Sequence, residues 1–497
     1  MSFAKKLFSV IRPTISNREG YPAYVRSLEE QYVQTLVTNT FGNTFYADQQ
    51  TLLAEADELH REMAQNRPQF MAQALVYARN EGNMRLQPLY GLAILSQYRP
   101  DLFAKAFLQV VRIPSDLSDF LTILKGMGRG EGGRAVKRQV NRFLAGTSEY
   151  WALKYNGRGR GYSLGDAIAT AHPKPADLKQ QALFRYLRGQ EANLTLLPQV
   201  EAFEQLKRAS TEEERLRWIE TGRLPHEVVT GAVKPTKAIW EALLGQMPTF
   251  ALLRHLNALE RAGVLEDRRN LNAVIARLTD PAALSKAKIL PFRFAKAFRQ
   301  VKHPELRDAL RDAVELTFAN LPDLEDRTAI FLDISGSMDG EYLQIGSVFA
   351  LALYKKTQGN SLFWLFDTEA EDAYPSRRDS ILSQAERIQT RGGTDTGAPV
   401  RKLLAERRKV DQIVIITDEQ QNSGSQFYRE LTNYRAKVNP QVKAFVIDIA
   451  PYRSAMVPPQ DPNTFYVYGW SDTVLSYIAQ TAKGYGSLVK TIEKIEL

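Results

Sequence analysis

The feature that most constrains the fold of this chain is a change in hydrophobic periodicity near residue 321. Apolar residues at helical spacing, with short Gly or Pro breaks, occur at 50–65, 68–80, 101–112, 117–127, 133–146, 237–263, 270–280 and 303–321. Short β-rich runs then alternate with helical stretches and lie at 328–334, 361–366, 412–418, 442–449 and 464–469. Two patterns in 497 residues predict at least two domains.

Each pattern predicts its own class of fold. Helices joined in pairs by short turns are typical of an α-solenoid, in which each pair buries its apolar face by stacking on the next pair. No strict sequence period relates the pairs, so any repeats are degenerate. Strands that alternate with helices indicate parallel strands with crossover helices. We therefore predict an all-α helical-repeat module over residues 1–322 and a doubly wound α/β domain over residues 323–497.

Composition narrows the class of protein. The chain has no cysteine, which excludes disulfides, thiolate zinc sites and cysteine nucleophiles and fits a reducing compartment. No apolar run approaches the roughly 20 residues that a membrane-spanning helix needs. The opening MSFAKKLFSVIRP is too short and too charged for a signal peptide. We expect a soluble, cytoplasmic protein that does not bind membranes.

Charge is divided unequally between the two predicted domains. The first 320 residues carry a net charge of +12, whereas residues 321–497 carry −3. A basic segment of this size favours a phosphate-rich partner, although many proteins are basic only for solubility.

Polar side chains follow three predicted elements of the α/β domain. Asp333, Ser335 and Ser337 come directly after the first strand, Asp418 ends the run QIVIITD, and Thr394 lies in the glycine-rich turn RGGTDTGAP. In an open parallel sheet such positions converge beyond the carboxyl ends of the strands. Carboxylates and hydroxyls without histidine or cysteine form an all-oxygen set, which a hard divalent cation such as Mg²⁺ prefers. Polar strand-end loops without a metal are the simpler alternative.

Two catalytic interpretations are weaker. Ser335 or Ser337 as a nucleophile needs an activating base, and no histidine follows His303. The glycine-rich segment 126–134 lacks the GK[ST] of a phosphate-binding loop. An enzyme remains conceivable only as metal-assisted phosphodiester chemistry at the acidic residues, so we predict a protein without catalytic activity.

A second candidate site is basic and lies in the helical part. Its residues, on a predicted helix and in the loops after it, are Arg134, Lys137, Arg138, Arg142, Lys154, Arg158, Arg160, His172 and Lys174. Residues three and four apart share a helix face, so the first four form one cationic stripe. Arginines in a glycine-rich context near Tyr155 and Tyr162 suit phosphates and unpaired bases of single-stranded RNA. A solvated surface is the alternative.

The strand-end motifs resemble those of a known domain. The D-x-S-x-S of 333–337, the GGT of 392–394 and the TD of 417–418 are similar to the metal-ion-dependent adhesion site of von Willebrand factor A domains. The resemblance implies that Asp333, Ser335, Ser337, Thr394 and Asp418 hold the ion directly or through water. It also implies that a carboxylate of a protein partner completes the coordination shell.

The helical part resembles the TROVE module of the Ro autoantigen family, and bacterial members in particular. The resemblance rests on MGRGEGGRAVKR, RGYSLGDAIATAHPKP, IWEALLGQMPTFALLRHLNAL and KAKILPFRFAKAF, followed by an A domain. It implies a HEAT-like ring, whose hole takes single-stranded 3′ ends of misfolded small RNAs and whose outer surface binds noncoding Y RNAs.

By position, the resemblance implies that His172 and Lys154 contact RNA, together with Arg158 or Arg160. The residues alone instead favour His172 as a helix end before Pro173. We therefore expect an RNA-binding scaffold of RNA quality control that forms a ribonucleoprotein with Y-type RNA. Its ion site would recruit an RNA-degrading or RNA-repair protein. The alternative is a metal-dependent scaffold whose helical module binds protein.

Overall fold

The structure is a computed structural model that describes residues 11–130, 132–155, 161–287, 289, 291–319, 323–324, 326–357, 359, 361–469, 474, 478 and 488–497. Of the described residues up to 319, helices are α1 (Leu28–Thr38), α2 (Gln49–Asn66), α3 (Pro68–Asn80), α4 (Leu86–Tyr98), α5 (Pro100–Val110), α6 (Pro114–Gly126), α7 (Gly133–Ala145), α8 (Glu149–Tyr155), α9 (Leu164–Ala171), α10 (Leu178–Leu187), α11 (Pro198–Arg208), α12 (Glu212–Gly222), α13 (His226–Ala232), α14 (Lys237–Leu244), α15 (Thr249–Arg261), α16 (Arg268–Leu278), α17 (Pro281–Ala287), α18 (Pro291–Gln300) and α19 (Pro304–Phe318). The helical prediction for this part is confirmed.

The helices begin where the sequence supplies a cap or a proline. Ser27 and Ser163 form capping boxes at the starts of α1 and α9, each with an acidic residue three positions later. Pro68 and Pro304 occupy the first turns of α3 and α19, where the missing N–H costs nothing. The apolar segment 237–263 divides into α14 and α15 because Pro248 lies in its middle and caps the second helix.

The second part of the chain forms a mixed, mainly parallel sheet with helices on both faces. The strands of this sheet are β3 (Thr328–Asp333), β4 (Leu362–Phe366), β5 (Ala370–Asp372), β6 (Gln412–Thr417), β7 (Lys443–Asp448) and β9 (Thr464–Tyr468). Helices bounded within the described residues of this part are α20 (Glu341–Lys356), α21 (Ile381–Ala385), α22 (Ala398–Ala405), α23 (Phe427–Lys437) and α24 (Leu488–Ile492). The strand order is β5-β4-β3-β6-β7-β9, and only β5 is antiparallel to its neighbour. All five predicted strands are present, and the predicted fold class is confirmed.

Alternating residues of the central strand enter two separate cores. Ile330 and Leu332 pack with α20 in a core that continues through the helical module, whereas Ala329 and Phe331 pack with α22 and α23. The helical array also contacts the α/β domain at both of its ends. α1 and α3 lie against α24, and α18 and α19 lie against α20 and α21. An array that starts and finishes on the same domain is what a closed ring requires.

An N-terminal hairpin that the sequence analysis did not predict joins the α/β domain. β1 (Ile15–Ser16) pairs with β2 (Pro22–Val25), and β2 pairs with β8 (Ser454–Ala455). These strands have only two to four residues, too few for an alternating pattern. The boundary between residues 322 and 323 stays a prediction, and residue 322 lies outside the described residues. No helix among the described residues is long and apolar enough to span a membrane.

Arg26 fixes this hairpin to the carboxyl end of the sheet. Its fully buried guanidinium pairs with Glu419 and with Asp448, the latter at 2.7 Å, and donates to the carbonyl oxygen of Tyr452. Burial alone would lower the pKa of Arg26, but the neighbouring carboxylates and Tyr468 raise it well above its usual value. Arg26 therefore stays charged, and loss of either carboxylate partner would destabilise the fold because it would leave buried charge without compensation.

Replacing Arg26 by alanine should destabilise the α/β domain by about 3–5 kcal/mol, because two buried carboxylates lose their counter-charge. Urea denaturation followed by tryptophan fluorescence measures this change. Arg18→Ala is the matched control, since Arg18 forms a partly exposed ion pair with Glu55, and such a pair contributes about 1 kcal/mol or less. Equal effects of the two substitutions would show that the Arg26 cluster does not anchor the hairpin.

Candidate metal centre and basic surface

The metal loop, residues 333–337, leaves the central strand at its carboxyl end. Asp333 is the last residue of β3, Ser335 is the N-cap of the single 3-10 turn that follows (Gly336–Met338), and Ser337 lies in that turn; all three are buried. Asp333 accepts hydrogen bonds from the Ser335 backbone N–H at 2.9 Å and from the Thr417 hydroxyl at 2.6 Å. The hydroxyl oxygens of Ser335 and Ser337 are 3.3 Å apart. Two hydroxyls and one carboxylate thus share a small volume.

The other two predicted ligands lie at the same edge of the sheet. Asp418 directly follows β6, the neighbour of β3, and is buried, and its Oδ1 accepts from the Gln420 N–H at 3.2 Å. The Gly336 N–H donates to the Gly392 carbonyl oxygen at 3.2 Å, which brings the turn 392–394 against the metal loop. Thr394 is buried, and its N–H donates to Asn422 Oδ1 at 2.8 Å.

The donor set fits a hard cation. The Oδ2 atom of Asp418 is buried without a hydrogen-bond partner, as expected of a carboxylate oxygen reserved for a ligand. Burial raises the pKa of both Asp333 and Asp418, and the charge on Asp333 raises that of Asp418 further. A divalent ion would relieve this repulsion. Within the described residues no three His, Cys, Asp or Glu side chains cluster, so an ion here would depend on hydroxyl ligands.

The predicted basic stripe lies on α7. Arg134, Arg138 and Arg142 are exposed and Lys137 is half-buried, whereas Val136, Val140, Phe143 and Leu144 on the opposite face are buried. The helix starts after Gly132, whose φ of +74° and close contact with Val136 leave no space for a side chain. The apolar face fixes the helix, so the cations project into solvent.

The remaining predicted contacts are distributed around α7. α9 packs against α7, and exposed His172 follows it in the left-handed conformation, with φ of +52°. Lys174 is exposed, whereas half-buried Lys154 forms an ion pair with Glu227 at 3.2 Å. Arg158 and Arg160 lie outside the described residues.

A cleft of about 420 Å³ that sequence reasoning did not identify opens between α6 and α9. Its lining includes Thr122 and Lys125 from α6, Tyr162 from the preceding loop, and Asp166 and Thr170 from α9. The Tyr162 hydroxyl bonds with the Thr170 hydroxyl at 2.9 Å, which fixes the ring at the cleft wall. The sequence places Tyr162 close to the arginines, but nothing in the sequence indicates its hydrogen bond to Thr170.

Comparisons with known proteins give the family. The family model of the TROVE domain matches residues 226–352, and that of the Ro60 vWA domain matches residues 327–482. The protein named RNA-binding protein RO60 of Deinococcus radiodurans is 26% identical over 510 residues, which cover 95% of both chains. The crystal structure of the Deinococcus radiodurans RO (RSR) protein has a TM-score of 0.70 and 26% identity, covering 92% of this chain and 100% of that one.

The chain belongs to the Ro60 family. A protein of the same name from Caenorhabditis elegans is 25% identical over 314 residues, which cover 57% of this chain and 48% of that protein. The predicted RNA contacts, residues 134–174, precede the part of this Ro60-family chain that the TROVE model matches. The metal loop lies inside both matched ranges.

The substitution Asp418→Asn should raise the melting temperature when no divalent ion is present and should abolish the stabilisation by Mg²⁺. Without an ion it removes the repulsion between two buried carboxylates, so the melting temperature should rise by about 2–4 °C. With Mg²⁺, the rise in melting temperature that the unaltered chain shows should disappear. Thermal melts with EDTA or Mg²⁺ test both halves, with Asp339→Asn, at an exposed residue two positions after the metal loop, as the control. A lower melting temperature in EDTA would contradict the electrostatic argument.

Proposed function

We propose that this Ro60-family chain is an RNA-binding protein that uses its helical module to hold RNA and its α/β domain to hold a divalent ion. The observation that carries the proposal is the exposed cationic face of α7 in a TROVE-containing chain whose relatives are named RNA-binding proteins. The helical part supplies the positive net charge, and the ion site lies in the acidic part. The two ligands are therefore held by different domains.

The arginines of α7 supply most of the affinity. Arg134, Arg138 and Arg142 neutralise phosphates, an interaction that is independent of sequence and sensitive to salt. The cleft between α6 and α9 offers the ring of Tyr162 to an unpaired base beside Lys125. A single-stranded 3′ end fits such a site better than a duplex, whose bases are stacked within the helix.

Lys154 contributes to RNA binding differently from the exposed cations. Its ammonium group is paired with Glu227 and lies over the rings of Tyr150 and Tyr155. A phosphate must compete with Glu227 for it, so Lys154 contributes less to affinity than an unpaired lysine would. The RNA partners in this proposal are Y-type noncoding RNA and misfolded structured RNAs with a free 3′ tail. The chain acts in RNA quality control or processing.

The ion is Mg²⁺, held by Asp333, Ser335, Ser337, Thr394 and Asp418. Bound there, it would offer a partner carboxylate an open coordination position. The partner is an acidic loop of an RNA-degrading or RNA-repair protein. The chain itself does not cleave RNA in this proposal. The hydroxyls of Ser335 and Ser337 lie within 3.3 Å of each other, and all five histidines of the sequence lie in its helical part, so no base is available to activate either serine.

Substitution of Arg134, Lys137, Arg138 and Arg142 by Gln should weaken binding of many RNAs alike and make the plot of log affinity against log salt shallower. With about 0.7 counterions released for each phosphate contact to a single strand, the slope should fall by as much as about 3. The probe is a structured RNA with a single-stranded 3′ tail, titrated at several salt concentrations.

The matched control replaces four exposed cations of the α/β domain, Arg378, Arg407, Arg408 and Lys409, and so changes the net charge equally. It should leave the slope unchanged. If the α7 variant also kept its slope, α7 would be only a solvated face. Failure of the unaltered chain to bind this RNA at low salt would favour the alternative of a helical module that binds protein.

His172→Asn separates an RNA contact from a structural role. Asparagine tolerates the left-handed conformation that His172 adopts, so the helix end is preserved, whereas alanine would add backbone strain. As an RNA contact, His172→Asn should weaken binding by about 1–2 kcal/mol with little change in salt dependence or melting temperature. A lower melting temperature with unchanged RNA affinity would remove His172 from the binding site.

A further inference from the structure

A carboxylate of the helical module bridges two groups that can donate to an anion. Helix α13 packs against α8, and Glu227 of α13 places its Oε1 atom 3.2 Å from the Lys154 ammonium of α8. The Oε2 atom of Glu227 lies 3.0 Å from His226 Nδ1. Because a carboxylate only accepts, the imidazole donates from Nδ1. One ammonium and one imidazole N–H therefore point at the same carboxylate.

Both donors are held by aromatic rings as well as by the carboxylate. The Lys154 ammonium lies 5.5 Å from the ring centroid of Tyr150 and 5.4 Å from that of Tyr155, and such faces attract a cation. The buried His226 ring packs edge-to-face on the His255 ring, with centroids 5.2 Å apart. These contacts would keep both donors in position if the carboxylate moved away.

Glu227 is the member of this cluster with access to solvent. Its side chain is 41% exposed, against 14% for Lys154 and 5% for His226. Burial alone would raise the pKa of Glu227, but the hydrogen bond from His226 and the charge of Lys154 lower it to about 2. The acid is therefore ionised at neutral pH and can turn into water, whereas the two donors stay behind.

The position of this carboxylate suits a phosphate. An RNA phosphate carries its negative charge on two non-bridging oxygens, which can accept from the same two donors in place of Oε1 and Oε2. If Glu227 turned outward and nothing replaced it, the largely buried Lys154 ammonium would lose its counter-charge, which is unfavourable away from water. Exchange of one anion for another is therefore favoured over an empty position.

We propose that Lys154 and His226 form a phosphate-binding subsite for the RNA backbone, and that Glu227 occupies this subsite in the free chain until a phosphate displaces it. This inference rests on the proposed RNA binding. It extends the RNA surface from α7 and α8 to α13, whose residues 226 and 227 are the first that the TROVE family model matches. Since the phosphate replaces an internal anion, the subsite favours a backbone that other cations already hold.

Titration of the full chain with a structured RNA that has a single-stranded 3′ tail, at several salt concentrations, tests the inference. Glu227→Gln keeps the shape of the side chain and removes the competing charge. Affinity should rise by about two- to fivefold, the range for a partly exposed ion pair that no longer has to be broken. In the unaltered chain the displaced carboxylate attracts a cation in place of the one that RNA releases. The plot of log affinity against log salt should therefore become steeper by about 0.7 in the variant.

Glu62→Gln, at an exposed position of α2, changes the net charge equally and is the matched control, which should leave affinity and slope unchanged. Combined with Lys154→Met, Glu227→Gln should no longer raise affinity above that of Lys154→Met alone, because the ammonium is absent. In the Glu227→Gln background, His226→Asn should keep the gain, since its amide replaces the Nδ1 donor, whereas His226→Leu should reduce it.

If Glu227→Gln bound this RNA with the affinity and slope of the unaltered chain while the α7 variant lost slope, this inference would be overturned and the proposed RNA binding would stand. A gain that persisted in full with Lys154→Met or with His226→Leu would also overturn the subsite, because the charge of Glu227 would then act at long range. Failure of the unaltered chain to bind this RNA at low salt would overturn both.

Discussion

The buried ion cluster around Arg26 is the interaction on which the carboxyl end of the sheet depends. Glu419 directly follows Asp418 and holds an uncommon left-handed backbone, with φ of +60°. Its carboxylate accepts from Arg26, from the Tyr466 hydroxyl at 3.0 Å and from the Met456 N–H at 2.7 Å. Such a conformation persists only where the surroundings fix it. Arg26 therefore helps to set the path of the chain next to a predicted metal ligand.

The same cluster also connects the first helix of the helical array to the α/β domain. Asp448 ends β7 and also accepts from the Gln34 side chain of α1 at 2.6 Å. The first helix of the helical module is thereby tied to the sheet, while α18 and α19 reach it from the other end of the array. The proposed RNA-binding module and the candidate metal centre are thus joined through the same sheet, although no residue is predicted to bind both RNA and the ion.

Sequence periodicity predicted the elements with long, regular patterns. The helical segments and the five parallel strands each have enough residues for a 3.6- or two-residue repeat, and strand ends marked Asp333 and Asp418 as neighbours. The hairpin could not be predicted, because a two-residue strand has no periodicity and its pairing with a strand more than 400 residues away leaves no local signal. Arg26 appears in the sequence as an ordinary cation, and only its burial distinguishes it. For α7, the sequence predicted the cationic stripe, and the structure shows the buried apolar face that directs this stripe towards solvent.

The central claim is that RNA is held by the helical module and not by the α/β domain. Ultraviolet cross-linking of the full chain to a structured RNA with a single-stranded 3′ tail, followed by mass spectrometry of the cross-linked peptides, tests this claim most directly. The account predicts cross-links on peptides from residues 122–174, with Tyr162 and His172 among the modified side chains. Cross-links concentrated on peptides from residues 328–469 would contradict it.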